Sequence, residues 1–261
     1  MSDEPKVRFE QDGALGTLTL DSPPLNLIGG RLIEDLVATI GQVEEIEGLR
    51  ALVLRGAGKA FSAGADVNLF GDASADDIRP LIASFLDLGR RIERLSFPTL
   101  AAVHGTCIAG GFELALFCDL IWAAEGTMLG LPETRIGIVP LAGGVERVAA
   151  RSGLGRARTV ALGGELHTAE DFAALGVIDR VVAADQLQEE AAEFARRLAE
   201  GPTRAFSVVK QLTQAYAMKG IAGADELLLD KAVPLFDTDD AREAIKTYLA
   251  SGPGDVVFTG R

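Results

Sequence analysis

Cysteine and histidine are scarce in this chain, with two of each in 261 residues. Cys107 and Cys118 are too few for a disulfide framework. Both have apolar sequence neighbours, which marks them as buried thiols of a reducing compartment. His104 and His167 lie far apart, and no His/Cys cluster has metal-ligand spacing. Positive charge is also in deficit. With 25 basic against 38 acidic residues the net charge is −13, which argues against nucleic-acid or anionic-membrane partners. An anionic ligand would need a local basic patch or helix N-termini. No apolar run approaches the length of a membrane span. Met1-Ser2-Asp3-Glu4-Pro5-Lys6 lacks the basic-then-apolar pattern of an export signal. A cytoplasmic protein is expected.

Several catalytic motifs are missing as well. Gly153-Leu154-Gly155 begins like a dinucleotide-binding loop, but Arg158 takes the third glycine position. There is no Walker-type loop. Ser62 has Ala60, not glycine, two residues before it, so it makes no nucleophile elbow. His104, at a strand end, reads as a structural hydrogen bonder. His167 reads as a surface residue.

What the chain does have is apolar mass, 48% of its residues, enough for one sizeable core or a core with a small appended region. Val7–Phe9 and Leu15–Leu20 read as strands, ended by Pro23-Pro24. Leu32, Ile33, Leu36, Val37, Ile40 and Val43 follow helical spacing, with Gly48 as the stop. Ala51–Leu54 reads as a buried strand that leads into Phe61-Ser62-Ala63-Gly64-Ala65-Asp66. Residues 66–77 read as a mobile loop, and a second amphipathic helix spans Ile78–Leu95. Thr99–Val103 is a strand, Gly110–Phe117 a helix and Leu120–Ala123 a strand. Strand, loop and helix recur three times, the pattern of right-handed βαβ units.

Beyond Pro140 the reading is mostly helical. Gly143-Gly144 opens one helix and Thr168 with Asp171 forms a capping box. Ile178–Val182 is a short strand, and Asp185 with Gln188 caps the next helix. Pro202 and Gly220 bound another, and Asp225–Leu235 and Asp239–Leu249 close the chain. The expected organisation is α/β over residues 1–195 and helical over 196–261, the latter covering a site or another subunit.

Two glycine-rich loops and two glutamates carry the chemistry. Small residues at Ala63-Gly64-Ala65 and Gly110-Gly111 allow a ligand to meet backbone N–H groups directly. Either loop alone is more often an ordinary turn. The first, however, follows a buried strand and faces a strand carboxyl end, where open α/β sheets bind ligands. Gly110 opens a helix, so its N–H has no partner within that helix and the dipole favours a developing anion there. Two N–H groups aimed at one carbonyl oxygen make an oxyanion hole, and losing one donor typically costs about 3–4 kcal/mol of transition-state stabilisation. Glu113 lies three residues after Gly110, on the same side of the helix; alone it would read as an acid at a helix N-terminus. Glu133 follows Met128-Leu129-Gly130-Leu131-Pro132; alone it would read as a surface acid paired with Arg135. Apolar surroundings would raise its pKa. Two carboxyls in different environments suit coupled proton transfer.

Taken in order, these segments resemble the enoyl-CoA hydratase/isomerase, or crotonase, family over essentially the whole chain. The resemblance is carried by Lys59–Asp66, by Ala102–Gly105 with Ala109-Gly110-Gly111-Phe112-Glu113-Leu114 and Cys118-Asp119, and by Leu131-Pro132-Glu133 with Ile136-Gly137. Pro140, Gly143-Gly144, Arg147, Asp239–Glu243 and Phe258–Arg261 complete it. It implies a spiral of ββα units with a C-terminal helical region that serves trimerisation and covers the active site, in a trimer or dimer of trimers. It implies an acyl-CoA substrate and no separate cofactor or metal. The thioester oxygen would meet the N–H groups of Ala65 and Gly110. Glu113 and Glu133 would share the acid and base roles in adding water to a 2-enoyl-CoA. Leu25, Leu27, Ala63, Asp66, Val67, Gly111, Leu131, Pro132 and Leu141 would contact substrate, with Phe85, Leu88 and Phe236 as further candidates for the acyl wall.

Retention of both glutamates favours a hydratase over an isomerase, which in this family commonly keeps the Glu133 carboxylate and loses the other. Another acyl-CoA reaction of the family stands beside the isomerase as an alternative, and a further reading is a non-catalytic acyl-CoA binding subunit. The sequence departs from the family at Asn68, where many relatives carry lysine, and at Ala244, where glycine is common. In the tail, Ala250–Asp255 replaces a basic stretch. Lys59, Lys210, Lys246 and Arg261 are the remaining candidates for the CoA phosphates.

Overall fold

A computed structural model describes residues 6–252 and 256–261. The opening Met1–Pro5 and the Pro253–Asp255 part of the tail, both considered above, lie outside the described residues. The chain begins with an antiparallel pair, β1 (Val7–Asp12) and β2 (Leu15–Leu20), turned at Gly13 with φ +59°. Then come α1 (Gly30–Glu45), β3 (Ala51–Gly56), a 3-10 turn (Val67–Phe70), α2 (Ala75–Arg94), β4 (Thr99–Val103), β5 (Thr106–Ile108), α3 (Gly110–Leu116), β6 (Leu120–Ala124) and β7 (Met128–Gly130). A second 3-10 turn (Glu133–Ile136) leads to α4 (Gly144–Ser152), α5 (Leu154–Gly163), β8 (His167–Thr168), α6 (Ala169–Ala174), β9 (Arg180–Val182) and α7 (Leu187–Ala199). The chain ends with α8 (Thr203–Ala232), a 3-10 turn (Val233–Asp237) and α9 (Asp239–Ser251).

A six-stranded sheet runs β1-β2-β3-β4-β6-β9, parallel from β2 onward, and a smaller sheet runs β5-β7-β8. After β4 and β6 the chain passes from the large sheet straight into the small one. After β3 it does so through a single bridge, Ser62 to Cys107. Strand of one sheet, strand of the other, then helix is the expected ββα spiral. The central strands are buried on both faces, as parallel strands covered by helices must be. Leu52, Leu54, Ala101 and Val103 join the core shared with α1, α2 and α3. Their alternate neighbours Ala51, Val53, Leu100 and Ala102 pack on Leu187, Ala191, Ala195 and Ala199 of α7.

Several expectations need correction. β5 and β7 were not read as strands, because three-residue strands carry too few alternations to show a period. Part of the expected 66–77 loop is regular. Asp66 Oδ1 accepts from the Asn68 N–H (3.1 Å) to start a 3-10 turn, and Ser74 and Asp77 form a full capping box for α2. Asp185 does not cap α7, whose N-cap is Gln186 without a side-chain bond. The core also runs past residue 195, since Ala199 is still buried beneath the sheet. His167 is half-buried, paired with Leu129 in the small sheet. The Thr168–Asp171 box is formed. Gly220 breaks α8 at φ 69°, ψ −167°, but a new helical run follows at once.

Several bonds pin the helical region. Lys210 Nζ, on α8, lies 2.7 Å from Asp119 Oδ2 and donates to Phe97 O (2.9 Å). The final residues fold back, with Asp240 accepting from the Thr259 and Gly260 N–H groups (2.7 and 2.8 Å) and Arg50 donating to Phe258 O.

Candidate active site

The first glycine-rich loop is fixed from both sides. Ser62 pairs with β5 through Ser62 N–H to Thr106 O and Ile108 N–H to Ser62 O, both 3.1 Å. Asn26 is fully buried and holds the other side. Its Nδ2 donates to the carbonyls of Ala57, Ala60 and Phe61 (2.9, 2.9 and 3.1 Å), and its own carbonyl accepts from Ser62 Oγ (2.7 Å). A parallel bridge joins Ile28 to Ala65, but its bonds run from Ile28 N–H to Gly64 O and from Asp66 N–H to Ile28 O. The Ala65 N–H is passed over.

The second loop meets it at α3. Ala109 is its N-cap, at φ 49° and ψ −131°, an unusual conformation for a residue with a Cβ. Gly110 is the first helical residue. Among the described residues neither the Ala65 nor the Gly110 N–H has an acceptor. They are neighbours, since a Cβ on Gly110 would stand 3.9 Å from the Ala65 nitrogen. The helix has only seven residues, so the exposed N–H itself, more than any dipole, is the donor offered.

Glu113 and Glu133 both line a cavity of about 290 Å³ together with Ala65 and Gly110. The two residues are 3% and 8% exposed, so water does little to stabilise their ionised forms. Glu113 is compensated, its Oε1 accepting from the N–H groups of Ala142 (2.7 Å) and Gly144 (2.9 Å). Burial holds its pKa above the usual carboxylate value, a rise that these two bonds and the Arg147 cation offset in part. Glu133 has less support. Burial first, then the nearby Glu113 charge, push it to about 7, and its buried Oε2 has no partner among the described residues. It makes no ion pair with Arg135. Two carboxyls with separated proton affinities thus flank a pair of unpaired N–H donors.

Apart from Arg135 the rest of the cavity is mostly apolar, walled by Ile28 ahead of α1 and Ile33 within it, by Phe70, Leu81, Ile82 and Phe85, and by Ile136, Ile138 and Leu141. Of the residues singled out from sequence, Ala63, Val67, Pro132, Leu141 and Phe85 line it. Others do not. Leu25, Leu27 and Asp66 lie along a separate surface groove with Lys6 and Arg31. Gly111 packs against Ser62, Leu131 and Leu88 are core, and Phe236 is 67% exposed. Lys210 is spent on Asp119 and so is no free phosphate ligand. His104 bonds Gly58 O through Nε2 at 3.1 Å. Sequence reasoning missed Asn26 as the pin of the first loop and the Ala142–Gly144 backbone as the holder of Glu113. Gly143-Gly144 was the available signal, since a Cβ on Gly144 would lie 2.9 Å from Glu113 Cγ.

Comparison with known proteins gives a consistent outcome. Residues 10–255 match the family model described as enoyl-CoA hydratase/isomerase. A Bacillus subtilis protein named "Probable enoyl-CoA hydratase" is 31% identical over 246 residues, covering 93% of this chain and 95% of its own. The mitochondrial enoyl-CoA hydratase of Pongo abelii is 29% identical, covering 92% of this chain and 82% of its own. The crystal structure of an enoyl-CoA hydratase from Bacillus anthracis superposes with a TM-score of 0.92 at 25% identity, over 98% of this chain and all of that one (100%).

Proposed function

The chain belongs to the enoyl-CoA hydratase/isomerase family, and on that footing we propose that it adds water across the double bond of a 2-enoyl-CoA thioester. The observation that carries this reading is the meeting of four groups at one cavity: the Ala65 and Gly110 N–H donors and the Glu113 and Glu133 carboxyls. The two donors would take the thioester oxygen and stabilise the enolate that forms as the β-carbon is attacked. Glu113, whose Oε1 accepts from two backbone N–H groups that favour its carboxylate, is suited to accept a proton from water. Glu133, with a pKa of about 7, is suited to carry a proton and deliver it to the α-carbon. The water oxygen bonds to the β-carbon, its proton passes to Glu113, and the Glu133 proton passes to the α-carbon. Return of the proton from Glu113 to Glu133 resets the pair.

In this proposal coenzyme A is part of the substrate, and no other cofactor takes part. Leu25, Leu27 and Asp66 border a groove whose lining residues Leu27, Gly29 and Asp66 are chain neighbours of the cavity residues Ile28, Ala65 and Val67, and this groove would take the CoA handle. Exposed apolar side chains on the helical region, including Tyr216, Met218, Ile221, Leu229, Tyr248 and Leu249, favour assembly of several copies, as expected for a trimer or dimer of trimers. One observation favours a second reading. Glu133 has a buried Oε2 with no partner among the described residues, and one such carboxyl could shuttle a proton in double-bond isomerisation.

The test is incubation with a 2-enoyl-CoA in heavy-oxygen water. Hydration predicts a 3-hydroxyacyl-CoA carrying one heavy oxygen at the β-carbon. Conversion of a 3-enoyl-CoA without label, surviving Glu113→Gln, would support the isomerase instead.

A further inference from the structure

Arg147 does not line the cavity, yet it grips the loop that holds Glu113. Its Nη1 donates to the carbonyls of Ala142 and Gly143, each at 3.2 Å. Its Nε donates to Glu93 Oε1 of α2 at 2.7 Å. The guanidinium lies 4.7 Å from the Phe117 ring centroid, and Phe117 in turn is packed directly on Gly89 of α2. The gripped peptides belong to the same short segment whose Ala142 and Gly144 N–H groups bond Glu113 Oε1. Gly143 has φ +82°, and a Cβ there would run into Arg147 Nη1. The loop is therefore shaped around the guanidinium. Glu93 is itself tied to the helical region, because Gln214 of α8 donates to its carbonyl at 2.6 Å.

We propose that Arg147 is a positioning residue, clamping residues 142–144 from below so that their N–H groups hold the Glu113 carboxylate in the geometry its base role needs. The proposal deepens the hydratase reading and rests on it. A planar fork is required, because one side chain must reach Glu93 and two carbonyls at once, which a lysine ammonium on a flexible stem does poorly. The charged groups around Glu113 are Glu133 on the 3-10 turn and Glu146 and Arg147 on α4, with Arg135 of the 3-10 turn lining the same cavity; Glu93 on α2 is occupied by Arg147. Arg147 is the cation that pulls the Glu113 pKa down. Removing it takes away that cation and slackens the two donors, and both effects raise the Glu113 pKa.

The experiment compares wild type, Arg147→Gln and Arg147→Lys in two ways. The first is the Glu113 carboxyl titration followed by carbon-13 NMR without substrate, its resonance assigned by Glu113→Gln. The second is steady-state hydration against pH. Arg147→Gln is expected to titrate Glu113 at higher pH and to move the acid limb of kcat/KM upward. Its kcat should fall roughly 10²-fold with little change in KM, as for a misplaced group that binds no substrate. Arg147→Lys should keep the titration near wild type and still lose most of kcat. Folded Arg147→Gln with wild-type kcat and an unshifted Glu113 titration would overturn the proposal. Should that variant not fold, wild-type kcat in Arg147→Lys would do the same. If wild type shows no hydration at all, the hydratase reading fails, while the substrate-free titration still decides the clamp.

Discussion

Glu133→Gln should stabilise the protein increasingly as pH rises. Glu133 sits in the core-side wall of the cavity, with burial and the Glu113 charge lifting its pKa from 4.5 to about 7. Between those values the folded state holds a proton that the unfolded chain has released. Wild type therefore has its full Glu133 contribution at and below pH 4.5 and loses it as pH climbs through 7. At roughly 1.4 kcal/mol per pH unit the interval amounts to about 3 kcal/mol. Glutamine is neutral throughout and loses nothing. The stability difference, Gln variant minus wild type, should then grow by about 3 kcal/mol from pH 4.5 to pH 8 whatever its offset at acid pH. For a chain of this size that is a shift in Tm of about 6–12 °C. Urea unfolding of both proteins over this range, at fixed protein concentration, reads it directly. A difference that stays flat with pH would refute the reasoning, for it would mean that the carboxylate is solvated or paired in the folded state.

Other perturbations follow from single contacts. Gly111→Ala places a Cβ 2.6 Å from the Ser62 Cβ and carbonyl oxygen, pushing α3 off the first loop. It should cost about 1–3 kcal/mol in urea unfolding and lower kcat, whereas Gly155→Ala, which meets nothing within 4 Å, should not destabilise. Asn26→Ala strips the Nδ2 donor from three carbonyls, two of them in buried bonds, and should cost about 3 kcal/mol by the same assay. Ala109→Gly relieves a positive φ of 49°. Relief of strain, of order 1–3 kcal/mol, outweighs the added glycine entropy of about 0.5–1 kcal/mol, so Tm should rise.

The elements legible in the sequence are those with enough length to display a period. α1 and the central strands show their buried positions plainly, and the Thr168–Asp171 box marks a helix start by chemistry alone. β5 and β7 escaped because three residues cannot establish alternation; their pairing is fixed by tertiary partners, Ser62 and His167 among them. The candidate site was legible where the backbone itself offers unpaired N–H groups, at Ala65 and Gly110, because small residues mark both loops. It was not legible where a side chain acts on distant backbone. Nothing near Asn26 in sequence announces that its amide serves Ala57, Ala60 and Phe61. The loop that fixes Glu113 lies 29 residues from it. Leu25 and Leu27 lie outside the cavity for a local backbone reason. The Ile28–Ala65 bridge sends alternate residues to opposite sides, so Ile28 faces the cavity while its neighbours face the outer groove.

The central claim is that Glu113 and Glu133 jointly hydrate an enoyl thioester. The most direct measurement is the loss of conjugated enoyl-thioester absorbance after adding the protein to crotonyl-CoA and to a longer 2-enoyl-CoA, with Glu113→Gln and Glu133→Gln alongside. The account predicts rapid loss with wild type and severe slowing in each folded variant. No loss on either substrate with folded wild type, or wild-type turnover in either variant, would contradict it.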